Sequence, residues 1–150
     1  PRYGHSAVLL GDGRVLIAGG GFEHNLLHLC NPDCGDDVPS PVDHLDREVL
    51  IWDPTTGRFS VSGILARGRY HSTLAKRSGD EVVIAGGYER ASDHGMPVEI
   101  WSFKGTRVAQ READVGFLYG TPLADGAVLF ANDDRMTLVD DRAIHRVLPR

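Results

Sequence analysis

Two histidines and two cysteines lie close together in one polar stretch of the chain and have the residue types of a zinc site. His24 and His28 are four positions apart in HNLLH, and Cys30 and Cys34 follow directly. Four positions make about one helical turn, so both imidazoles could face one metal ion, with two thiolates completing a tetrahedral set. The spacing of the cysteines fits no common zinc module, and a zinc-protease motif would need glutamate where Asn25 stands. We therefore predict no bound metal and no cofactor, and keep zinc as the alternative.

These two cysteines are the only ones in the chain, and they allow two further interpretations. A disulfide between Cys30 and Cys34 would close a small loop and would place the protein outside the cytoplasm. Free thiols would instead suit the cytoplasm. We expect the disulfide, and with it an extracytoplasmic or secreted protein.

The cysteines and histidines belong to segment 21–47, which interrupts a sequence repeat. RVLIAGG ends at Gly20 and EVVIAGG ends at Gly87, and each follows a His-Ser pair, a short apolar run and a turn. Two apolar runs around a turn rich in Gly and Asp are typical of a β-hairpin. Aligning the copies on His5 and His71 assigns one extra residue to the second hairpin. The predicted hairpins are His5–Gly19 and His71–Gly86, each followed by an outer hairpin, Glu48–Val61 and Val98–Gln110.

A third unit has the same pattern in a less regular form. Residues 116–133 keep an Asp-Gly turn, but Ala131-Asn132-Asp133 replaces Ala-Gly-Gly, and no tryptophan follows. We place the units at residues 1–65, 66–110 and 111–150, the first of them carrying the insert 21–47. Each unit is expected to form four short antiparallel strands.

The repeat resembles that of the kelch family of β-propellers. The resemblance rests on the glycine pairs ending at Gly20 and Gly87, on Trp52 with Phe59 in WDPTTGRF, and on the opening RYGHS. It implies an all-β fold, a partial ring of three four-stranded antiparallel blades. It also implies an interaction module or, as in galactose oxidase-like and sialic-acid mutarotase-like propellers, a carbohydrate-active enzyme. No set of copper ligands is evident around the four tyrosines, Tyr3, Tyr70, Tyr88 and Tyr119.

Neither the glycines nor the His-Ser pairs have the context of a catalytic motif. A phosphate-binding loop needs a helix, and in the P-loop a Lys-Ser/Thr, after its glycines; neither copy of the heptad has them. Neighbouring residues of a strand point to opposite faces, so His5 and Ser6 do not form a catalytic pair. The formal net charge of −5 argues against nucleic acid as a partner, and no apolar run reaches the length of a membrane span. An interaction module is the favoured interpretation.

A protein or glycan partner is expected to bind at one edge of the blades. In a four-stranded blade, the loop after the second strand and the connection to the next blade lie at the same edge. That edge would combine the insert with segment 88–97 and with the arginines of the blade junction. The predicted partner-binding residues are His24, His28, Asp36, Asp37, His44, Arg67, Arg69, Tyr88, Arg90 and His94.

Three blades are too few to close a ring, because propellers use about four to eight. We expect the remaining blades to come from a longer chain or from a second copy. They would cover apolar faces of the first and last blades, to which we assign Val8, Leu10 and Val128.

Overall fold

A computed structural model describes residues 2–22, 44–77, 79–87, 89, 96–102, 107–111, 119–131, 136–140 and 144–147. These residues form strands and turns and no helix, which confirms the all-β prediction. Within the same ranges there is accordingly no helix that could cross a membrane.

The described residues form thirteen strands in three antiparallel sheets. Sheet 1 consists of β1 (Tyr3–Leu9), β2 (Val15–Phe22), β4 (Glu48–Asp53) and β5 (Arg58–Ile64), with the two-residue β3 (His44–Leu45) added to the end of β2. Sheet 2 consists of β6 (Thr73–Lys76), β7 (Glu81–Ala85), β8 (Val98–Ser102) and β9 (Arg107–Arg111). Sheet 3 consists of β10 (Tyr119–Pro122), β11 (Val128–Ala131), β12 (Met136–Val139) and β13 (Ile144–Val147). The predicted hairpins are therefore present, and the first strands of the sheets lie near one another, with β6 contacting both β1 and β10.

The first hairpin has the same length in all three sheets. In sheet 1 the Leu10 N–H donates to the Arg14 carbonyl, and the Arg77 N–H makes the same bond to Glu81 in sheet 2. Five residues separate the last cross-strand pair in each case, for example Leu9 with Val15. The extra residue assigned to the second hairpin is therefore not in the turn.

The strand registers correct the alignment of the two repeats. Ser6 pairs with Ala18, and Thr73 pairs with Ala85. Because Ala18 and Ala85 hold the same place in the two heptads, Ser6 is equivalent to Thr73, and the repeats align on Arg-Tyr and not on His-Ser. Arg2, Tyr3 and Gly4 then correspond to Arg69, Tyr70 and His71. On this alignment the two copies have the same length from Arg-Tyr to the glycine pair, and neither has an extra residue.

The glycine pairs bring the first two strands together where β2 and β7 end. Gly20 and Gly87 have φ values of +82° and +84°, a region that L side chains rarely adopt. A Cβ at Gly20 would overlap the Tyr3 carbonyl oxygen, and one at Gly87 would overlap that of Tyr70. The glycines therefore shape the sheet edge, as the sequence predicts.

The sheets pack face to face, and equivalent residues make equivalent contacts. We call one side of each sheet its front face and the other its back face. Front-face positions are Val15, Ile17, Leu50 and Trp52 in sheet 1, Val82, Ile84, Glu99 and Trp101 in sheet 2, and Val128, Phe130, Thr137 and Val139 in sheet 3. Back-face positions are Leu16, Ala18, Val49 and Ile51, then Val83, Ala85, Val98 and Ile100, then Leu129, Ala131, Met136 and Leu138. The back face of sheet 1 packs on the front face of sheet 2, and the back face of sheet 2 packs on the front face of sheet 3.

This packing corrects the residues assigned to the open faces. Val8 packs against the core between sheets 1 and 2, and Leu10 is buried in it. Val128 is buried in the core between sheets 2 and 3. Successive residues of a strand alternate between faces, and the side chains of these three residues point into the cores between the sheets. The open faces instead carry the residues that precede or follow these three in the strands.

Candidate functional site at the loop edge

One edge of the sheets gathers the strand ends and the connection between sheets 1 and 2. Tyr3 pairs with Gly21, and Glu48 pairs with Ile64, so the start of β1 and the ends of β2 and β5 lie together. We call this the loop edge: residues 2–5, 19–22, 44–48, 64–72, 86–87, 89 and 96–99. The insert leaves and re-enters sheet 1 here through a paired stem, in which Phe22 lies opposite His44.

Two equivalent arginines bind the strand ends at this edge. Arg2 donates from Nη1 to the carbonyls of Gly19 (3.3 Å) and Glu48 (3.0 Å). Arg69 donates from Nη1 to the carbonyls of Gly86 (3.2 Å) and Pro97 (2.9 Å), the equivalent positions of sheet 2. Each guanidinium thus joins the second and third strands of its sheet to the segment that begins the first strand. We call each arginine with its two carbonyls a clamp.

The two clamps differ in their carboxylate partners. Arg2 pairs with Asp46, a partly exposed residue near the C-terminal end of the insert. Arg69 pairs with Glu99 at 2.8 Å, and both side chains are completely buried. Glu99 also accepts hydrogen bonds from Trp101 Nε1 (3.3 Å) and from the Ala66 N–H (3.2 Å). A buried ion pair depends on such additional hydrogen bonds, because desolvating two charges costs several kcal/mol per ion.

The burial of Arg69 corrects its predicted role. The sequence places Arg69 among the partner-binding residues, but its guanidinium lies inside the fold and binds Glu99. Arg69 therefore holds the strand ends together, and its buried guanidinium is not accessible from the surface.

Tyrosine and histidine side chains form the inner part of the loop edge. The buried Tyr70 donates its hydroxyl to that of Tyr3 at 3.0 Å, and their ring centroids lie 5.4 Å apart. Tyr3 is 43% exposed. The exposed His71 lies beside them, with its ring centroid 6.2 Å from that of Tyr70.

His71 has an unusual backbone conformation. Its φ of +49° makes it the only non-glycine residue with a positive φ among the described residues, and its equivalent in sheet 1 is Gly4 at +64°. The His71 N–H donates to the Gly4 carbonyl at 2.9 Å, which holds the segment in place. Non-glycine residues in this region cost of order 1–3 kcal/mol and cluster at functional sites. His71 is thus held in a strained conformation at an exposed position.

The outer part of the loop edge carries charged residues. Arg67 pairs with Glu89 at 2.6 Å in a bridge that is well exposed on both sides. Arg47 is exposed and donates from Nε to the Leu65 carbonyl at 2.9 Å. Of the predicted partner-binding residues, Arg67 is therefore found on the surface of this edge. His44 contributes its backbone to β3.

The other predicted site residues lie outside the described ranges. This holds for the proposed disulfide and metal candidates and for most of the predicted partner contacts, namely His24, His28, Cys30, Cys34, Asp36, Asp37, Tyr88, Arg90 and His94. Their roles stay predictions. Among the residues that the structure does describe, no three His, Cys, Asp or Glu side chains are grouped to hold a metal ion.

Sequence reasoning missed the clamp and the buried carboxylate. Both had a signal: Arg-Tyr occurs before each first hairpin, and Glu99 interrupts an apolar strand where the other copy has Leu50. A charge in a strand that is otherwise buried needs an opposite charge. Glu99 thus indicates a buried cation, but the sequence alone does not say which arginine supplies it.

No protein-family profile and no curated protein matches the chain. Among solved structures, the fold is similar to that of a fungal alcohol oxidase of the AA5 family in complex with copper, with a TM-score of 0.55 at 10% sequence identity. The match covers 94% of this chain and 29% of the oxidase. At this identity the likeness shows the fold, and it supports an arrangement of consecutive propeller blades.

Proposed function

We propose that this chain is a kelch-type propeller segment that binds a protein or a glycan partner through its loop edge. The observation that carries the proposal is His71, an exposed imidazole in a strained backbone conformation beside Tyr70, whose ring packs on the exposed Tyr3. Glycine occupies the equivalent position of sheet 1 and would relieve the strain in sheet 2. A role for the imidazole at the surface would explain why histidine, and not glycine, stands at this position.

The chemistry of the edge suits such a partner. Tyr3 offers an aromatic ring with a hydroxyl group, a type of side chain enriched where interfaces bind most tightly. The Arg67–Glu89 pair of the same edge supplies charged donors and acceptors for a polar rim. The two clamps hold these side chains on fixed strand ends, which limits the entropy lost on binding.

The insert adds the variable part of the proposed site. Residues 23–43 connect Phe22 with His44, and these two residues are paired with each other at the loop edge. We assign partner contacts there to His24, His28, Asp36 and Asp37, and on segment 88–97 to Tyr88, Arg90 and His94. We further propose the Cys30–Cys34 disulfide and an extracytoplasmic location. Thiol titration of the unfolded, unreduced chain tests the bond, because two free thiols would exclude it.

Substituting His71→Gly tests the proposal directly. The variant should be more stable by about 1 kcal/mol, since glycine adopts the positive φ without strain, yet it should bind its partner more weakly. Binding is measured by probing a glycan array with the labelled chain and by comparing captured proteins between parent and variant. His145→Ala, an exposed histidine of sheet 3, is the matched control and should leave binding unchanged. Equal binding by the parent and His71→Gly would refute the role of His71.

Removing residues 23–43 tests the contribution of the insert. An Asn-Gly turn between Phe22 and His44 would close the existing strand pair as a two-residue hairpin. This deletion spares Gly21, Asp46 and Arg47, which contact the rest of sheet 1. Stability should change little while partner binding is lost. Retained binding would place the partner on another surface.

One observation favours a second candidate function, a carbohydrate-active enzyme. Tyr3, Tyr70 and His71 meet at the inner end of the loop edge, although the sequence alone suggests no such group. The described residues do not fit a copper centre, because one imidazole adjoins the tyrosines and the two hydroxyls bind each other. We therefore derive no catalytic step. Oxygen consumption with primary alcohols and sugars, measured with and without added copper, distinguishes this candidate from a binding module.

A further inference from the structure

The front face of sheet 1 is apolar and uncovered. Its outermost members, Leu9, Phe59 and Val61, are 64%, 62% and 56% exposed. The strand pairings align these residues with a partly exposed apolar row, Val15, Ile17, Leu50 and Trp52. A continuous apolar surface of this kind on a soluble protein marks an interaction site.

The equivalent face of sheet 2 shows what such a surface binds. Val82 and Ile84 are fully buried there and Trp101 is 2% exposed. They are covered by the back face of sheet 1, which offers small and branched aliphatic side chains. The covering residues are Leu16, Ala18, Val49 and Ile51.

The back face of sheet 3 offers the same kind of covering surface and is also open. Leu129, Ala131 and Leu138 are partly exposed and Met136 is 38% exposed. The order of residue types, a large aliphatic residue, alanine and two further large apolar residues, repeats that of the back faces of sheets 1 and 2. The chain therefore carries one open front face and one open back face, the two halves of an interface that it already forms twice internally.

The geometry points to a second copy of this chain as the occupant of the sheet 1 front face. The back face of sheet 3 in one protomer packs on the front face of sheet 1 in its partner, and the reciprocal contact closes a two-fold ring of six sheets. Such a ring lies within the four to eight blades of known propellers. The contact is heterologous, and two copies close a ring if the three sheets of one protomer turn through half a circle between its two open faces. The assembly does not rest on the proposed partner binding at the loop edge, but it would cover Tyr3, the equivalent of the buried Tyr70.

Light scattering coupled to size exclusion at tens of micromolar tests the assembly. The expected species has twice the 16.3 kDa mass of the chain. A stable monomer at this concentration would overturn the inference, and so would a ladder of larger species, because it would show that the contact does not close.

Lysine substitutions at exposed positions identify the two faces without endangering the fold. Phe59→Lys on the front face and Met136→Lys on the back face should each weaken dimerisation by at least about tenfold. Because both chains of the ring carry the substitution, each variant places a lysine in both interfaces. Ser60→Lys lies on the same strand as Phe59 but points to the opposite face, and it should leave the dimer intact. Circular dichroism checks that all three variants remain folded.

The two faces also separate a head-to-tail ring from a symmetric contact. If two front faces met each other, Met136→Lys would dimerise normally, and that result would overturn the inference. If front meets back, an equimolar mixture of Phe59→Lys and Met136→Lys keeps one unaltered interface per mixed pair. The mixture should then form more dimer than either variant alone; no gain on mixing counts against the ring.

Discussion

Sheets 1 and 2 are built from equivalent residues but have different surroundings. Trp52 and Trp101 occupy the same position, yet Trp101 is almost completely buried and Trp52 is partly exposed. At the neighbouring position, the covered sheet has the charged Glu99 and the uncovered sheet has the apolar Leu50. A face adapted to water would show the opposite distribution. The comparison teaches that the front face of sheet 1 retains the composition of an interior surface.

Glu99→Leu, which gives sheet 2 the residue of sheet 1, should have the largest effect. It removes one member of a completely buried ion pair and leaves the Arg69 guanidinium without its counter-charge, at a cost of about 3–5 kcal/mol. Asp46→Ala, which removes the partly exposed partner of Arg2, should cost about 1 kcal/mol. Urea denaturation measures both free energies of unfolding. Equal losses would show that the two clamps depend on their carboxylates to the same extent.

Replacing the two tryptophans by alanine should reveal the difference in covering. Trp101→Ala empties a packed site and should cost about 3–5 kcal/mol. Trp52→Ala should cost about half as much when the chain is dilute, because the partly exposed Trp52 buries less apolar area than Trp101 on folding. The measurement is urea denaturation at low and high protein concentration. If the Trp52→Ala cost does not rise with concentration, Trp52 is not covered by a second copy.

Two glycines should give equal effects, because their surroundings are the same in both sheets. Gly20→Ala and Gly87→Ala each place a Cβ onto a carbonyl oxygen at positive φ, and each should cost about 2 kcal/mol or more. Gly57→Ala is the control, since its φ is also positive but open space surrounds the added atom. That control should cost about 1 kcal/mol. Markedly unequal values for Gly20 and Gly87 would break the equivalence of the two edges.

The smallest effect is expected in the turns of the first hairpins. There the acidic residue precedes the arginine in sheet 1 and follows it in sheet 2. Sheet 1 pairs Asp12 with Arg14, whereas sheet 2 pairs Arg77 with Glu81. The side-chain hydrogen bond from Arg14 holds the pKa of Asp12 below its usual value. A lowered pKa contributes stability above the unfolded-state pKa, and this contribution is lost as pH falls through the folded-state value. In Arg14→Gln the pKa of Asp12 should rise toward its ordinary value in an NMR titration; an unchanged pKa would assign the shift elsewhere.

The repetition of hairpins and glycines predicts the fold well, because both follow from local sequence. Apolar runs and turns rich in Gly and Asp determine strands over a few residues, and all three sheets follow that pattern. The alignment on His5 and His71 was wrong because the register depends on which residue pairs with Ala18 or Ala85, a contact between strands. Val8 and Leu10 were assigned to the wrong face for the same reason. Predicting the clamps would have required knowing which carbonyls lie near Arg2 and Arg69 in three dimensions.

The clamps have a consequence for how this edge can change during evolution. Arg2 fastens the end of the second strand and the start of the third, and the pair Phe22–His44 holds the two ends of the insert together, so the sheet sets no fixed length for the chain between them. Loop closure adds only about 0.6 kcal/mol for each doubling of loop length, and the same connection is 21–47 in one repeat and 88–97 in the next. Loops of unrelated sequence and length can therefore be exchanged at this place. The sheets can stay the same while these connections change in length and sequence.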